Sequence, residues 1–211
     1  MQVLTISPDR YVEHQNLLKQ MYRLRADVFS GRLEWDVSII DGGERDQYDE
    51  LNPTYILATS GSKVVGCARL LPAVGPTMLE LTFPQLLREG SLNANTAMIE
   101  SSRFCVDTTL RAGREGGQLH LATLTMFAGI IEWSIAQGYD KIVTATDLRF
   151  ERILNRAGWP MARLGKPVAI GNTVAIAGTL PADQKSFERV RPPNYRSALF
   201  CTDDHSERSA A

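Results

Sequence analysis

Met98-Ile99-Glu100-Ser101-Ser102-Arg103-Phe104-Cys105-Val106 and Ile142-Val143-Thr144-Ala145-Thr146 bracket a long apolar stretch, and the three pieces together set the topology of this chain. Residues 96–106 and the β-branched run 142–146 read as strands. Residues 118–137, apolar nearly all round, predict a buried helix stopped by Gly138. A strand–helix–strand unit places its two strands parallel, as neighbours joined by a right-handed crossover. A further helix, residues 148–156, follows directly and ends at Gly158.

Outward from this unit, residues 55–59 and 63–71 are joined by Ser60-Gly61-Ser62, a hairpin signature. Residues 1–6 read as a strand, and residues 8–29 as a helix with Leu17, Met21, Leu24 and Val28 on one face. A short helix is expected at 78–87, and closing strands at 167–170 and 173–179. The charged segment 30–53 is long for a structureless connection, and such loops usually serve binding. The order implies one mixed central sheet flanked by helices, a three-layer α/β (α+β) domain over residues 1–193. Residues 194–211 read as a partly disordered tail. The acetyltransferase-like (GNAT) fold is one candidate with this order.

The 211 residues carry 23 Lys and Arg against 24 Asp and Glu, a balance that argues against a nucleic-acid partner. No apolar run approaches the ~20 residues that span a bilayer, and the first residues show no secretory pattern. Cys67, Cys105 and Cys201 are odd in number, far apart in sequence and without metal-ligand spacing, which argues against disulfide staples and a zinc site. A reducing, cytoplasmic setting is expected. His14, His120 and His205 stand in no hydrolase motif, and the turn at 113–117 before the buried helix is neither of the familiar phosphate-loop patterns.

Three constellations remain. Arg25 and Phe29 share a helix face, with Trp35 just beyond; an arginine snorkelling over an aromatic ring explains them equally well. Asp46 and Asp49 fall in the long loop, where acidic residues are usually solvated. Glu100 and Arg103 stand inside an apolar strand, where charges are costly unless paired. Their odd separation puts them on opposite faces of an ideal strand, so both reach one cleft only through a β-bulge, a feature enriched beside active sites.

Arg25, Phe29, Trp35, Asp46, Asp49, Arg69, Glu100 and Arg103, with the block Glu100-Ser101-Ser102-Arg103-Phe104, resemble the acyl-homoserine-lactone synthase (LuxI-type autoinducer synthase) family. The wording of Arg45-Asp46-Gln47-Tyr48-Asp49 is most similar to the members encoded on rhizobial conjugal plasmids. The resemblance implies an acetyltransferase-like fold and two substrates, S-adenosyl-L-methionine and a fatty acyl thioester of acyl carrier protein. The α-amino group attacks the thioester to form an amide. The methionyl carboxylate oxygen then displaces methylthioadenosine and closes the lactone. Both centres arrive activated, so positioning and proton removal suffice.

On this resemblance Glu100 is the catalytic base. Arg25, Phe29, Trp35, Asp46, Asp49, Arg69, Arg103 and Phe104 hold S-adenosylmethionine. Ser101, Phe127, Ile130, Thr144 and Phe150 line the acyl chain, with Thr144 positioned to donate to a 3-oxo group. The pantetheine arm enters between splayed strands near Phe104 and Ile142. No cofactor is implied beyond the substrates, since the 4′-phosphopantetheine arm belongs to the carrier, and no metal is implied. Arg149, Arg152, Arg156, Arg163 and Lys166 form a candidate dock for the acidic carrier. A coenzyme-A-dependent N-acyltransferase acting on another amine, and a non-catalytic small-molecule binding module, stay open as alternatives.

Overall fold

The computed structural model describes residues 1–109 and 120–200. In chain order it contains β1 (Gln2–Ile6), α1 (Gln15–Ala26), β2 (Ile39–Ile40), β3 (Gly43–Glu44), β4 (Thr54–Ser60), β5 (Lys63–Pro72), α2 (Met78–Thr82) and β6 (Met98–Val106). There follow α3 (Leu121–Ala136), β7 (Lys141–Asp147), α4 (Leu148–Arg156), β8 (Ala162–Arg163), β9 (Val168–Ile170), β10 (Thr173–Pro181), α5 (Gln184–Val190) and β11 (Ser197–Ala198). One mixed sheet runs β11-β1-β4-β5-β6-β7-β10-β8, with β9 on β10.

Strict alternation along β4 divides the core in two. Tyr55 and Leu57 pack with Met21, Leu24 and Val28 of the α1 segment, whereas Ile56 and Ala58 pack with Met126 and Phe127 of α3. Leu154 of α4 and Val190 of α5 join the α3 side, and Leu79 of α2 lies against Val143 and Ala177 on the other face. The result is the expected three-layer arrangement.

The β6–α3–β7 unit forms as the sequence predicts, with β6 and β7 parallel in the register Met98↔Lys141, Ile99↔Ile142 and Glu100↔Val143. Pairing stops there. Beyond Glu100 and Val143 the strands part, so Ile142, expected at the split, lies inside the paired segment below it.

Several boundaries differ from the expectation. The helix predicted over 8–29 is a 3₁₀ turn at Pro8–Arg10, then α1, then a π-helical turn at Asp27–Arg32. The widened turn, closed by Leu33 N donating to Val28 O at 2.9 Å, carries Phe29 inward; such turns recur at functional sites. The helix expected over 78–87 breaks at Phe83–Pro84, because Pro84 has no N–H to continue it. The loop 30–53 contains the β2–β3 hairpin and a 3₁₀ turn, Gln47–Leu51. α5, capped by Asp183, was not anticipated. Part of the presumed tail is sheet: β11 pairs parallel with β1, and the Tyr195 hydroxyl donates to Glu132 at 2.5 Å. Cys67 and Cys105, distant in sequence, are register partners on β5 and β6 with their sulfurs 3.4 Å apart, both as free thiols. The turn at 113–117 and Cys201 lie outside the described residues. Among the described residues no helix is long and apolar enough to cross a membrane.

Candidate active site

The bulge that Glu100 and Arg103 require is present. Cys67 pairs with Cys105 but Arg69 pairs with Ser102, so Arg103 and Phe104 together oppose Ala68. Arg103 takes the left-handed conformation, φ 52°. The extra residue reverses the parity of β6: Met98 and Cys105 face the α1–α2 side, whereas Ile99 and Val106 face α3. Glu100, Ser102 and Arg103 thereby line one cleft, and Phe104 turns its ring onto Phe127 at 5.4 Å.

Behind that cleft three arginines interlock with three carboxylates. Arg25, on α1, donates through Nε to Glu44 at 2.6 Å and through both terminal nitrogens to Asp49 at 2.8 Å each. Arg69, on β5, pairs with Asp46 and reaches Asp49 at 3.1 Å and Ser102 at 3.1 Å. Arg103 donates to Glu44 at 3.0 Å and lies 2.8 Å from Asp46. The carboxylates come from β3 and the 3₁₀ turn, where Asp46 accepts from Tyr48 N and Asp49 accepts from Asp46 N as a capping box. Tyr55 adds a hydroxyl donor to Asp49 at 2.7 Å. Three positive and three negative charges cancel, which is what allows so many ions to be buried together. Burial alone drives the Asp49 carboxyl upward, but Arg25 and Arg69 outweigh it and hold its pKa well below the carboxylate range.

Glu100 stands apart from this lattice. Its oxygens accept the backbone N–H groups of Met78 at 3.0 Å and Leu79 at 2.7 Å, the first turn of α2. Burial raises its pKa, since those two amides and Arg69 only partly offset desolvation. The Met78 sulfur in turn accepts from Arg103 at 3.4 Å and Arg69 at 3.6 Å, tying α2 to the arginines.

The cleft opens into a cavity of about 530 Å³. Phe29 and Trp35 line one end, stacked with centroids 5.3 Å apart and planes 3° from parallel, and the Arg103 guanidinium sits 5.5 Å from the Phe29 ring. Met78, Leu79, Phe83 and Leu86 form another wall, and Phe104, Thr144 and Phe150 line the split between β6 and β7.

Of the residues expected to hold a nucleoside substrate, Phe29, Trp35, Arg103 and Phe104 face the cavity. Arg25, Arg69 and Asp49 are buried behind it as its frame, with Asp46 at the margin. Of the expected acyl residues, Thr144 and Phe150 line the cavity. Ser101, Phe127 and Ile130 do not: Phe127 and Ile130 belong to the α3 core, and the Ser101 carbonyl accepts the Thr144 hydroxyl at 2.7 Å. Arg149, Arg152, Arg156 and Lys166 are exposed. Arg163 is clamped by Glu151 through two 2.6 Å bonds, which neutralises it. Glu44 was missed. It is fully buried and joins Arg25 to Arg103, but in sequence it opens an acidic run and carries no mark of burial.

The sequence pattern of the autoinducer synthases matches residues 9–190. The chain belongs to the autoinducer synthase family. It is 74% identical over 212 residues to the acyl-homoserine-lactone synthase of Rhizobium radiobacter, covering 100% of both chains. The structure of the CoA-dependent acyl-homoserine lactone synthase BjaI, with SAM and isopentyl-CoA, superposes with a TM-score of 0.82, covering 95% of each chain at 25% identity. A Lactobacillus plantarum protein classed with the N-acetyltransferases, 14% identical and covering 87% of this chain and 100% of its own, superposes at 0.56 and shares the fold alone. The chain is an acyl-homoserine-lactone synthase with an acetyltransferase-like fold.

Proposed function

We propose that this synthase joins S-adenosyl-L-methionine to a 3-oxooctanoyl chain carried on acyl carrier protein, releasing methylthioadenosine and N-(3-oxooctanoyl)-L-homoserine lactone. The observation that carries the reading is the single cavity shared by Phe29, Trp35, Glu100, Arg103 and Thr144. Stacked aromatic rings at one end suit an adenine ring and a sulfonium. Arg103 offers the methionyl carboxylate a guanidinium, and the split between β6 and β7 accepts the acyl arm.

Glu100 takes the proton of the attacking ammonium, directly or through one water. Its raised pKa makes it the stronger base for that task, and the Met78 and Leu79 amides fix its orientation. The nitrogen bonds to the acyl carbon while the C–S bond breaks, and the carrier thiol leaves with a proton. The carboxylate oxygen then bonds to the carbon bearing the sulfonium, whose C–S bond breaks to release methylthioadenosine. Thr144 exchanges its Ser101 acceptor for the 3-oxo oxygen, one hydrogen bond for another.

BjaI, which is CoA-dependent, favours a second reading in which the donor is a coenzyme A thioester. Parallel reactions with S-adenosylmethionine and either 3-oxooctanoyl carrier protein or 3-oxooctanoyl-CoA separate the two. Methylthioadenosine and the lactone should form faster from the carrier. Faster turnover of the CoA ester overturns the carrier assignment, and absence of methylthioadenosine from both overturns the sulfonium substrate.

A further inference from the structure

The cavity mouth lies between two segments distant in sequence. On one side is the irregular stretch 33–37, which holds Trp35 against Phe29 through Trp35 N donating to Phe29 O at 2.8 Å. On the other is the β9–β10 hairpin, whose turn Gly171–Asn172 and neighbour Thr173 line the same cavity. The Asn172 amide nitrogen donates to the Leu33 carbonyl at 3.1 Å, spanning 139 residues of chain. The two ends differ: Leu33 is anchored, its own N–H donating to Val28 O at 2.9 Å and its side chain packed beside Phe29, whereas Asn172 is exposed on the hairpin turn.

We propose that Asn172 is a latch. Its hydrogen bond closes the hairpin over the Trp35 end of the cavity, and its breakage admits the nucleoside substrate and releases the nucleoside product. A single solvent-accessible bond suits this use, because it holds the mouth shut by a margin small enough to open in every turnover. Asn172 is thus a positioning residue. The latch itself rests on the geometry, whereas the identity of what it admits rests on the function proposed above.

Asn172→Asp and Asn172→Ala test it, Asp keeping the size and turn preference of Asn but losing the donor. Trp133 and Trp159 are 8% and 2% exposed, so acrylamide quenching of tryptophan emission reports Trp35. Without any ligand, both variants should quench more strongly, the closed-to-open ratio falling about fivefold. The KM for S-adenosylmethionine should rise by less than that factor, because it follows the closed fraction, the KM for the acyl donor should not move, and Asn172→Gln should recover part of the loss. Unchanged quenching in both folded variants overturns the latch. Stronger quenching with a rise only in the KM for the acyl donor upholds the latch and overturns the placement of the nucleoside beside Trp35.

Discussion

Glu44 and Arg103 are 59 residues apart in the chain and 3.0 Å apart in the site. The other Glu44 oxygen accepts from Arg25 at 2.6 Å, so one carboxylate from the loop bridges an arginine of α1 and an arginine of β6. Glu44→Gln removes that charge and leaves both cations under-paired. A broken buried network of this kind costs about 3–5 kcal/mol, against which one retained hydrogen bond recovers little. For a chain of this size the midpoint of thermal unfolding should fall by about 10 °C, read by circular dichroism. A fall of under 2 °C would remove Glu44 from the framework.

Glu100→Gln should lower lactone formation about 10²–10⁴-fold if Glu100 is the base. Stability gives an independent check. Burial raises the Glu100 pKa above its ordinary 4.5, so from that pH upward the unfolded chain releases a proton that the folded protein retains. Its contribution to folding is therefore complete at lower pH and is lost as pH rises through the folded value. Gln does not titrate. The difference in melting temperature between variant and wild type should move in the variant's favour between pH 4.5 and neutrality, and a flat difference contradicts the raised pKa.

Thr144→Val should lower the proportion of 3-oxo product made from a mixed acyl pool, since the site then loses the hydroxyl proposed to donate to the ketone. The hydroxyl already has a partner in the Ser101 carbonyl, which the variant leaves without this donor, so a modest stability loss of about 1 kcal/mol should accompany the change. An unaltered product ratio by mass spectrometry removes Thr144 from selectivity.

The exposed arginines of α4 divide from Arg163. Reversing Arg149, Arg152 and Arg156 to Glu should raise the KM for acyl carrier protein while sparing that for S-adenosylmethionine, and added salt should mimic the effect in the wild type. Arg163→Glu instead places two carboxylates together at Glu151, so its effect should appear in thermal stability. Equal responses of both substrates to the α4 reversal would place the carrier elsewhere.

The parallel β6–β7 pair, the buried α3 and the need for a bulge near Arg103 were legible because each rests on local periodicity or on the cost of an unpaired charge. What escaped depends on distant partners. The π-helical turn at Asp27–Arg32 is fixed by where Phe29 and Trp35 must stack, and β11 exists because β1 offers it an edge. Glu44 looked like any loop acid until Arg25 and Arg103 converged on it. Phe127 and Ile130, expected along the acyl chain, sit on α3 in the core, with the Phe127 ring against Phe104 and Phe150.

The left-handed backbone at Arg103 is an arginine in a conformation that costs roughly 1–2 kcal/mol. Nothing local repays it; Glu44 and Asp46 do, from a loop whose other charged anchor, Asp49 on Arg25 and Arg69, belongs to the same lattice. Bulge and loop are therefore mutually conditional, and neither is a stable half-way house. As denaturant rises, this corner should let go as one unit while the sheet persists, so that catalysis disappears in a distinct transition ahead of the loss of far-ultraviolet dichroism. The enzyme would then be inactivated by partial opening well before it unfolds.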